Sequence, residues 1–250
     1  MPFRHGQSAV VYWGGYNLSP FLNAATISAS MDPAECTNFD SGGNREYIKG
    51  LKDATLNLEG FYSVGTTEPS TEITDVLNSA FTGTTSPVVT VGLEDDTIGN
   101  RAWLFLGNAV QYDIDAPADD IITTSVDLQG TKGYESGVWL RNLSQTTGAS
   151  AAVNSGLTNG GTTGGGVGHL HVTTLNATGS VTFKVQHSTS GSTWADLITF
   201  SAITDLFGHQ RSTVAGTVKE QVRAINSAQG STANVFTAAV AFARYGPFKG

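Results

Sequence analysis

The chain has 250 residues and a formal net charge of −8, with 14% charged and 39% hydrophobic side chains and 30 glycines. Soluble globular domains carry about 25% charged residues, so the deficit, filled by Gly, Ser, Thr and Asn, points to a β-rich chain with many turns. The acidic balance argues against a tight grip on a phosphate backbone, one cysteine, Cys36, excludes an internal disulfide, and no run reaches the ~18 apolar residues of a bilayer span.

The opening "MPFRHGQSAV" lacks the apolar core of a signal peptide, so a protein made and kept in a cytoplasm is expected. Period-two alternation then marks half-buried strands. "ATISASM" sets Ile27, Ala29 and Met31 against Thr26, Ser28 and Ser30, and "ATLNLEG" sets Leu56 and Leu58 against Asn57 and Glu59. In "STEITDVLNSAF" the period changes: Ile73, Val76, Leu77, Ala80 and Phe81 form one helical stripe. Pro69 before it and Gly83 after it suit helix ends, which predicts a helix near 70–82. "RAWLFLGNAVQY" is apolar on both faces, as a central strand would be. "IITTSVDLQG" alternates Ile122, Val126 and Leu128 with Thr123, Ser125, Asp127 and Gln129.

The character of the chain changes near residue 140. Residues 1–140 hold 18 acidic and 6 basic side chains, residues 141–250 hold 3 and 7, and none lies between Arg141 and Lys184. Such a shift suggests two units with different surroundings. Beyond it, "VTFKVQH" and "VFTAAVAFAR" read as strands with Val181, Phe183, Val185 and Phe236, Val240, Phe242 on their apolar faces. A small β-sandwich would close them.

Chemistry-bearing patterns are sparse. The run "TNGGTTGGGVGHLHVTT" lacks the Lys of a phosphate loop and leads into a strand, so nucleotide binding is not supported. His169 and His171 share a strand face, giving either a two-histidine metal site or, the blander reading, a solvent-facing side. His187 reads as a hydrogen-bonded histidine at the core edge. Glu94, Asp95 and Asp96, and Asp113, Asp115, Asp119 and Asp120, admit paired catalytic carboxylates or a weak cation site, with a solvated acidic surface as the default. Cys36 reads as a small buried thiol. No nucleophile elbow occurs, and no catalytic residue, metal ligand or cofactor is assigned. "STSGSTW" departs from the Asp-box hairpin by lacking its Asp and reads as a turn that tucks Trp194 against a sheet; Trp194 is the candidate glycan contact.

Residues 11–62 carry a set of elements in order: "GYNLS" at Gly15–Ser19, "ECTNF" at Glu35–Phe39, "IKGLKD" at Ile48–Asp53 and "LNLEGF" at Leu56–Phe61. With the helix and strands that follow, this resembles the major tail tube proteins of long-tailed (siphovirus-type) bacteriophages over somewhat more than half the chain. The resemblance implies a mainly β fold. Residues 1–142 would be a tail-tube-like β-sandwich or barrel with one packed α-helix, 143–168 a Gly/Ser/Thr-rich uncharged linker or domain entry, and 169–250 an accessory all-β sandwich. It further implies a structural virion protein, not an enzyme, forming stacked homo-hexameric rings through which DNA is ejected. Implied partners are the ring neighbours, other tail proteins such as a tape measure and tail terminator, and DNA that passes without tight binding. Arg45, Tyr47, Lys49 and Lys52 would lie on an arm reaching the next subunit or ring, and Glu59 and Asp127 would face an acidic lumen that repels phosphates. Rival readings are a carbohydrate-binding or receptor-contacting tail accessory protein, a minor tail or head–tail joining protein on the same fold, and a polysaccharide-cleaving enzyme using the acidic residues.

Overall fold

A computed structural model describes residues 6–66, 70–146, 151–152, 157–158, 160–176, 180–229 and 235–246. It is mainly β, with antiparallel pairing at every strand pair whose register is defined and a single α-helix among the described residues. The chain divides into two compact units. Unit 2 is Phe21–Ser86 with Leu106–Tyr134; unit 1 is Met1–Pro20, Pro87–Phe105 and Glu135–Gly250.

Unit 1 begins with β1 (Val10–Trp13) and β2 (Tyr16–Asn17). Between them, Gly14 adopts φ 58°, and a side chain on Gly15 would lie 2.0 Å from the Phe207 carbonyl oxygen. The "GYNLS" element is therefore a structural turn. Leu18 is fully buried, the Val11 N–H donates to Ser19 Oγ at 3.0 Å, and the Ser19 N–H donates to Asn17 Oδ1 at 3.1 Å.

Unit 2 is built on β3 (Leu22–Glu35) and β4 (Tyr47–Phe61), a long hairpin, followed by α1 (Ile73–Thr82). After β5 (Val88–Gly92) come two strands that each contribute to both units, β6 (Arg101–Asp115) and β7 (Thr123–Thr146). The strand order within unit 2 is β3–β4–β7–β6. Leu56, Leu58, Val126 and Leu128 are buried on one face, and α1 covers it. Ile73 Cδ1 sits 2.8 Å from where a Gly60 side chain would begin, and the Tyr112 hydroxyl donates to the Thr74 carbonyl at 3.4 Å. The helix buries Ile73, Val76 and Leu77 as its stripe requires, but Phe81 is 44% exposed, with the Tyr112 ring 6.3 Å away between centroids. Gly83 caps the helix in extended backbone, φ −76°, so it supplies a stop without a left-handed turn. Pro69 lies outside the described residues.

The remaining strands are β8 (Ala151–Ala152), β9 (Leu157–Thr158), β10 (Gly166–Asn176), β11 (Ser180–Ser188), β12 (Ala195–Thr199), β13 (His209–Val214), β14 (Gln221–Gln229) and β15 (Val235–Arg244). In unit 1 the larger sheet runs β13–β10–β15–β7–β6–β5–β1–β2, and a second sheet runs β12–β11–β14–β8, with β9 also on β14. Leu170, Val172, Phe236, Val240 and Phe242 of the first meet Val181, Phe183, Val185, Ile198 and Val222 of the second in one core. Ala239, Ala241 and Ala243, on the opposite face of β15, join Tyr12, Leu104 and Trp139 in another.

Two expectations change here. The compact units do not follow the expected division into 1–142, 143–168 and 169–250. The strand β7 runs unbroken through residue 142, and its second half pairs with β15, so the final strand is laid beside the middle of the chain. The glycine run does not precede a separate sheet either: from Gly166 it is β10, inside the larger sheet between β13 and β15. Residues 147–150, 153–156 and 159 of the expected linker lie outside the described residues.

Candidate assembly surface

The outermost part of unit 2 is the far half of the β3–β4 hairpin. Register runs from Leu22↔Gly60 to Glu35↔Tyr47, with an irregularity between Met31 and Pro33 where a side chain on Gly50 would strike the Asp32 carbonyl at 2.0 Å. From Tyr47 to Asp53 every residue is exposed. The expected arm is an ordered two-stranded ribbon. Its tip closes on itself: the Cys36 N–H donates to the Glu46 carbonyl at 2.9 Å, the Glu46 N–H to Thr37 Oγ1 at 3.1 Å, and Gly42 and Gly43 turn the chain at φ 60° and 82°. Arg45 lies at the tip, and Tyr47, Lys49 and Lys52 lie on its second strand. Cys36 is exposed there, contrary to the expected buried thiol, because the ribbon has no second layer over it among the described residues.

Charge and polarity drew attention to this arm, but its apolar residues are equally prominent. Phe39 is fully exposed, Leu51 is 82% exposed, and Tyr47 and Ile48 are more than half exposed. Exposed apolar side chains grouped in this way are the kind of patch that in general marks interaction sites. Further apolar residues are exposed on β6 at Val110 and Ile114, in the turn after it at Ile121, and at the end of β4 at Phe61. Within the order β3–β4–β7–β6, β3 and the second half of β6 are the outer strands of unit 2. Outer strands present unpaired N–H and C=O groups that template further pairing.

The face of this sheet opposite α1 is polar. Directly opposed pairs are Thr55↔Gln129, Asn57↔Asp127 and Glu59↔Ser125, flanked on β3 by Thr26 and Ser28. The two sequence candidates thus share one face, Glu59 exposed and Asp127 half-buried. Asn57 Nδ2 donates to Asp127 Oδ1 at 2.8 Å, and Gln129 Nε2 donates to Asp53 Oδ1. Asp53 was not singled out by sequence, although its odd parity with Asn57 and Glu59 put it on this face.

His169 and His171 are overturned as solvent-facing residues: both are fully buried. The Thr90 hydroxyl of β5 lies 3.0 Å from His169 Nδ1 and 2.8 Å from His171 Nε2, and His171 Nδ1 bonds the Gly14 carbonyl. Tyr12 stacks on His171, 5.6 Å between centroids. Burial drives the His171 pKa down to about 3. His169 falls well below the usual histidine value, through burial first and then the His171 and Arg211 charges. They are neutral core groups. Among the described residues no three His, Cys, Asp or Glu side chains converge as a metal site.

The acidic cluster at 94–96 has structural contacts. Asp95 accepts the Thr97 N–H at 2.8 Å, and Asp96 accepts the Tyr12 hydroxyl at 2.5 Å, which with burial pushes that phenol far above its ordinary pKa. Trp194 is half-buried, donates from Nε1 to the Gly191 carbonyl at 3.0 Å, and carries the Arg223 guanidinium 4.1 Å from its ring centre. That guanidinium also donates to Gln186 Oε1 at 3.0 and 2.8 Å. One ring face, which a sugar would use, is therefore occupied. His187, at the core edge as expected, accepts the Lys219 N–H at 3.3 Å.

No protein-family model and no curated protein matches the chain. Among solved structures, matches of low identity include three from phage or phage-like particles. One, from the virion of a native gene transfer agent particle, has 14% identity and a TM-score of 0.43 and covers 53% of this chain and 97% of its own. Another, the SPP1 tail tube, has 10% identity and a TM-score of 0.43 and covers 54% and 78%. The SPP1 Dit protein, described as a hub of the adsorption apparatus in phages infecting Gram-positive hosts, has 11% identity and a TM-score of 0.37 and covers 94% and 98%.

Proposed function

We propose that the protein is a non-enzymatic structural subunit of a phage tail tube, polymerising as stacked rings around a channel for DNA. The observation that carries this reading is the design of unit 2. Its sheet has two outer strands, one face sealed by α1, the other polar, and a projecting ribbon bearing exposed Phe39, Tyr47, Ile48 and Leu51. Edge-to-edge joining of such sheets around a ring removes every open edge, as closure does in a barrel. The ordered series of tail-tube-like elements in residues 11–62 supports the same reading.

In this assembly the ribbon, with Arg45, Tyr47, Lys49 and Lys52, reaches a neighbouring subunit or ring, and six copies close each ring. The face bearing Asp53, Glu59 and Asp127 lines the channel, where fixed negative charge keeps DNA phosphates from adhering. A tape measure and a tail terminator are the expected further partners, and the site of action is the virion tail. Purified protein, alone or seeded by a tail initiator, should form rings or hollow tubes under negative-stain electron microscopy. A persistent monomer at high concentration with the initiator present would sink the reading.

A further inference from the structure

A cavity of about 540 Å³ opens in unit 1 between the 160–163 turn, the β13–β14 connection and strands β7 and β15. That volume suits a small molecule. Its base is apolar, with Val138 and Phe242, and its wall carries two cations, Arg244 and Lys219, against one carboxylate, Glu220. Arg244 is the unusual group. Its Nη2 donates to the Lys219 and Glu220 carbonyls at 3.1 and 2.9 Å, while its Nε is buried without a hydrogen-bond partner among the described residues. Burial lowers its pKa to about 10, the mark of a cation that has lost water and gained no carboxylate in return. The field is felt next door, where Lys219 and Arg244 add to burial in lowering the His187 pKa.

Around this charge stand hydroxyls. Thr163, Thr189 and Thr217 are exposed on the rim. Ser136 Oγ is buried with no partner among the described residues. Tyr245 closes one side through its backbone, its carbonyl accepting the Thr162 hydroxyl at 2.7 Å. A bare anion would use the cations alone; a rim of hydroxyls beside an apolar base of Val138 and Phe242 suits a polyhydroxylated ring. We propose that this cavity binds an acidic saccharide, its carboxylate held by Arg244 and Lys219 and its hydroxyls by the threonine rim. The site is separate from Trp194 and does not depend on the assembly reading. It gives the glycine run a chemical part, since Gly160 to Thr163 form one wall.

The test is calorimetric titration of the full chain with D-glucuronate, D-galacturonate and N-acetylneuraminate, against D-glucose and acetate as probes of ring and charge alone. At least one sugar acid should bind ten-fold or more tighter than both controls. Arg244→Gln should abolish that binding, and Trp194→Ala should leave it within two-fold. Since Arg244 is partly structural, Lys219→Met with Thr217→Val, at less buried positions, provides the second variant and should weaken binding at least five-fold with an unchanged melting temperature. Glucose binding as well as glucuronate, acetate binding as well as any sugar acid, no sugar acid binding, or full binding by the folded variants would each overturn the proposal.

Discussion

The most consequential single residue in unit 1 is Thr90, whose one hydroxyl serves two buried histidines. Thr90→Val keeps the shape and removes the partner of both rings, so a loss of about 1–3 kcal/mol is expected in urea unfolding; Thr90→Ser should recover most of it. The histidines also set a pH dependence. Their native pKa values are depressed, His171 to about 3, while the unfolded chain protonates near 6.5. The unfolded state therefore binds protons first, and stability present above about pH 6.5 is lost as pH falls toward 3. At two pH units below 6.5 the neutral His171 accounts for about 3 kcal/mol, and the depressed His169 acts in the same direction. Urea midpoints from pH 8 to pH 4 should show this slope, and His171→Gln should flatten it; an equal slope in the variant would disprove the assignment. Their burial was legible in one respect. A stretch without a single charge from Arg141 to Lys184 is how a strand covered on both faces reads, but His is polar enough to pass for an outer face until the covering strand, 79 residues away at Thr90, is known.

Helix α1 shows what periodicity carries and where it stops. Its stripe is Ile73, Val76, Leu77, Ala80 and Phe81, and the first three are buried. Phe81 escapes because the helix ends at Thr82 and its last turn overhangs the sheet, leaving Tyr112 as its aromatic neighbour. Leu77→Ala should thus cost about 2–5 kcal/mol in unfolding free energy, and Phe81→Ala under about 1 kcal/mol. Equal losses would mean that the helix packs with its C-terminal turn inward. The β3–β4 hairpin was likewise legible as alternating strands near Leu56 and Leu58. At its tip, Gly42 and Gly43 suit a flexible loop as well as the tight turn at positive φ that the ribbon makes.

At the scale of the whole chain, composition misplaced the boundary, since a charge gradient follows local sequence while sheets pair residues far apart. The shift near Arg141 falls inside β7, whose partners are β4 on one stretch and β15 on another. The proposed assembly would give that gradient a role. The ribbon carries Arg45, Lys49 and Lys52 beside Leu51 and Ile48 in a half of the chain with 18 acidic and 6 basic side chains. Two forces thus act on one arm, and salt separates them. Charge attraction between subunits fades as the screening length falls from about 30 Å at 0.01 M salt to about 3 Å at 1 M, whereas burial of apolar side chains does not. Light scattering should show that Lys49→Glu with Lys52→Glu raises the critical concentration for assembly severalfold at low salt, with the gap to wild type closing as salt rises. Leu51→Asp should block assembly at every ionic strength while leaving the monomer's melting temperature within a few degrees, because Leu51 touches no core. If the charge pair's effect persists at 1 M salt, or if Leu51→Asp assembles normally, the ribbon is not the joint between subunits.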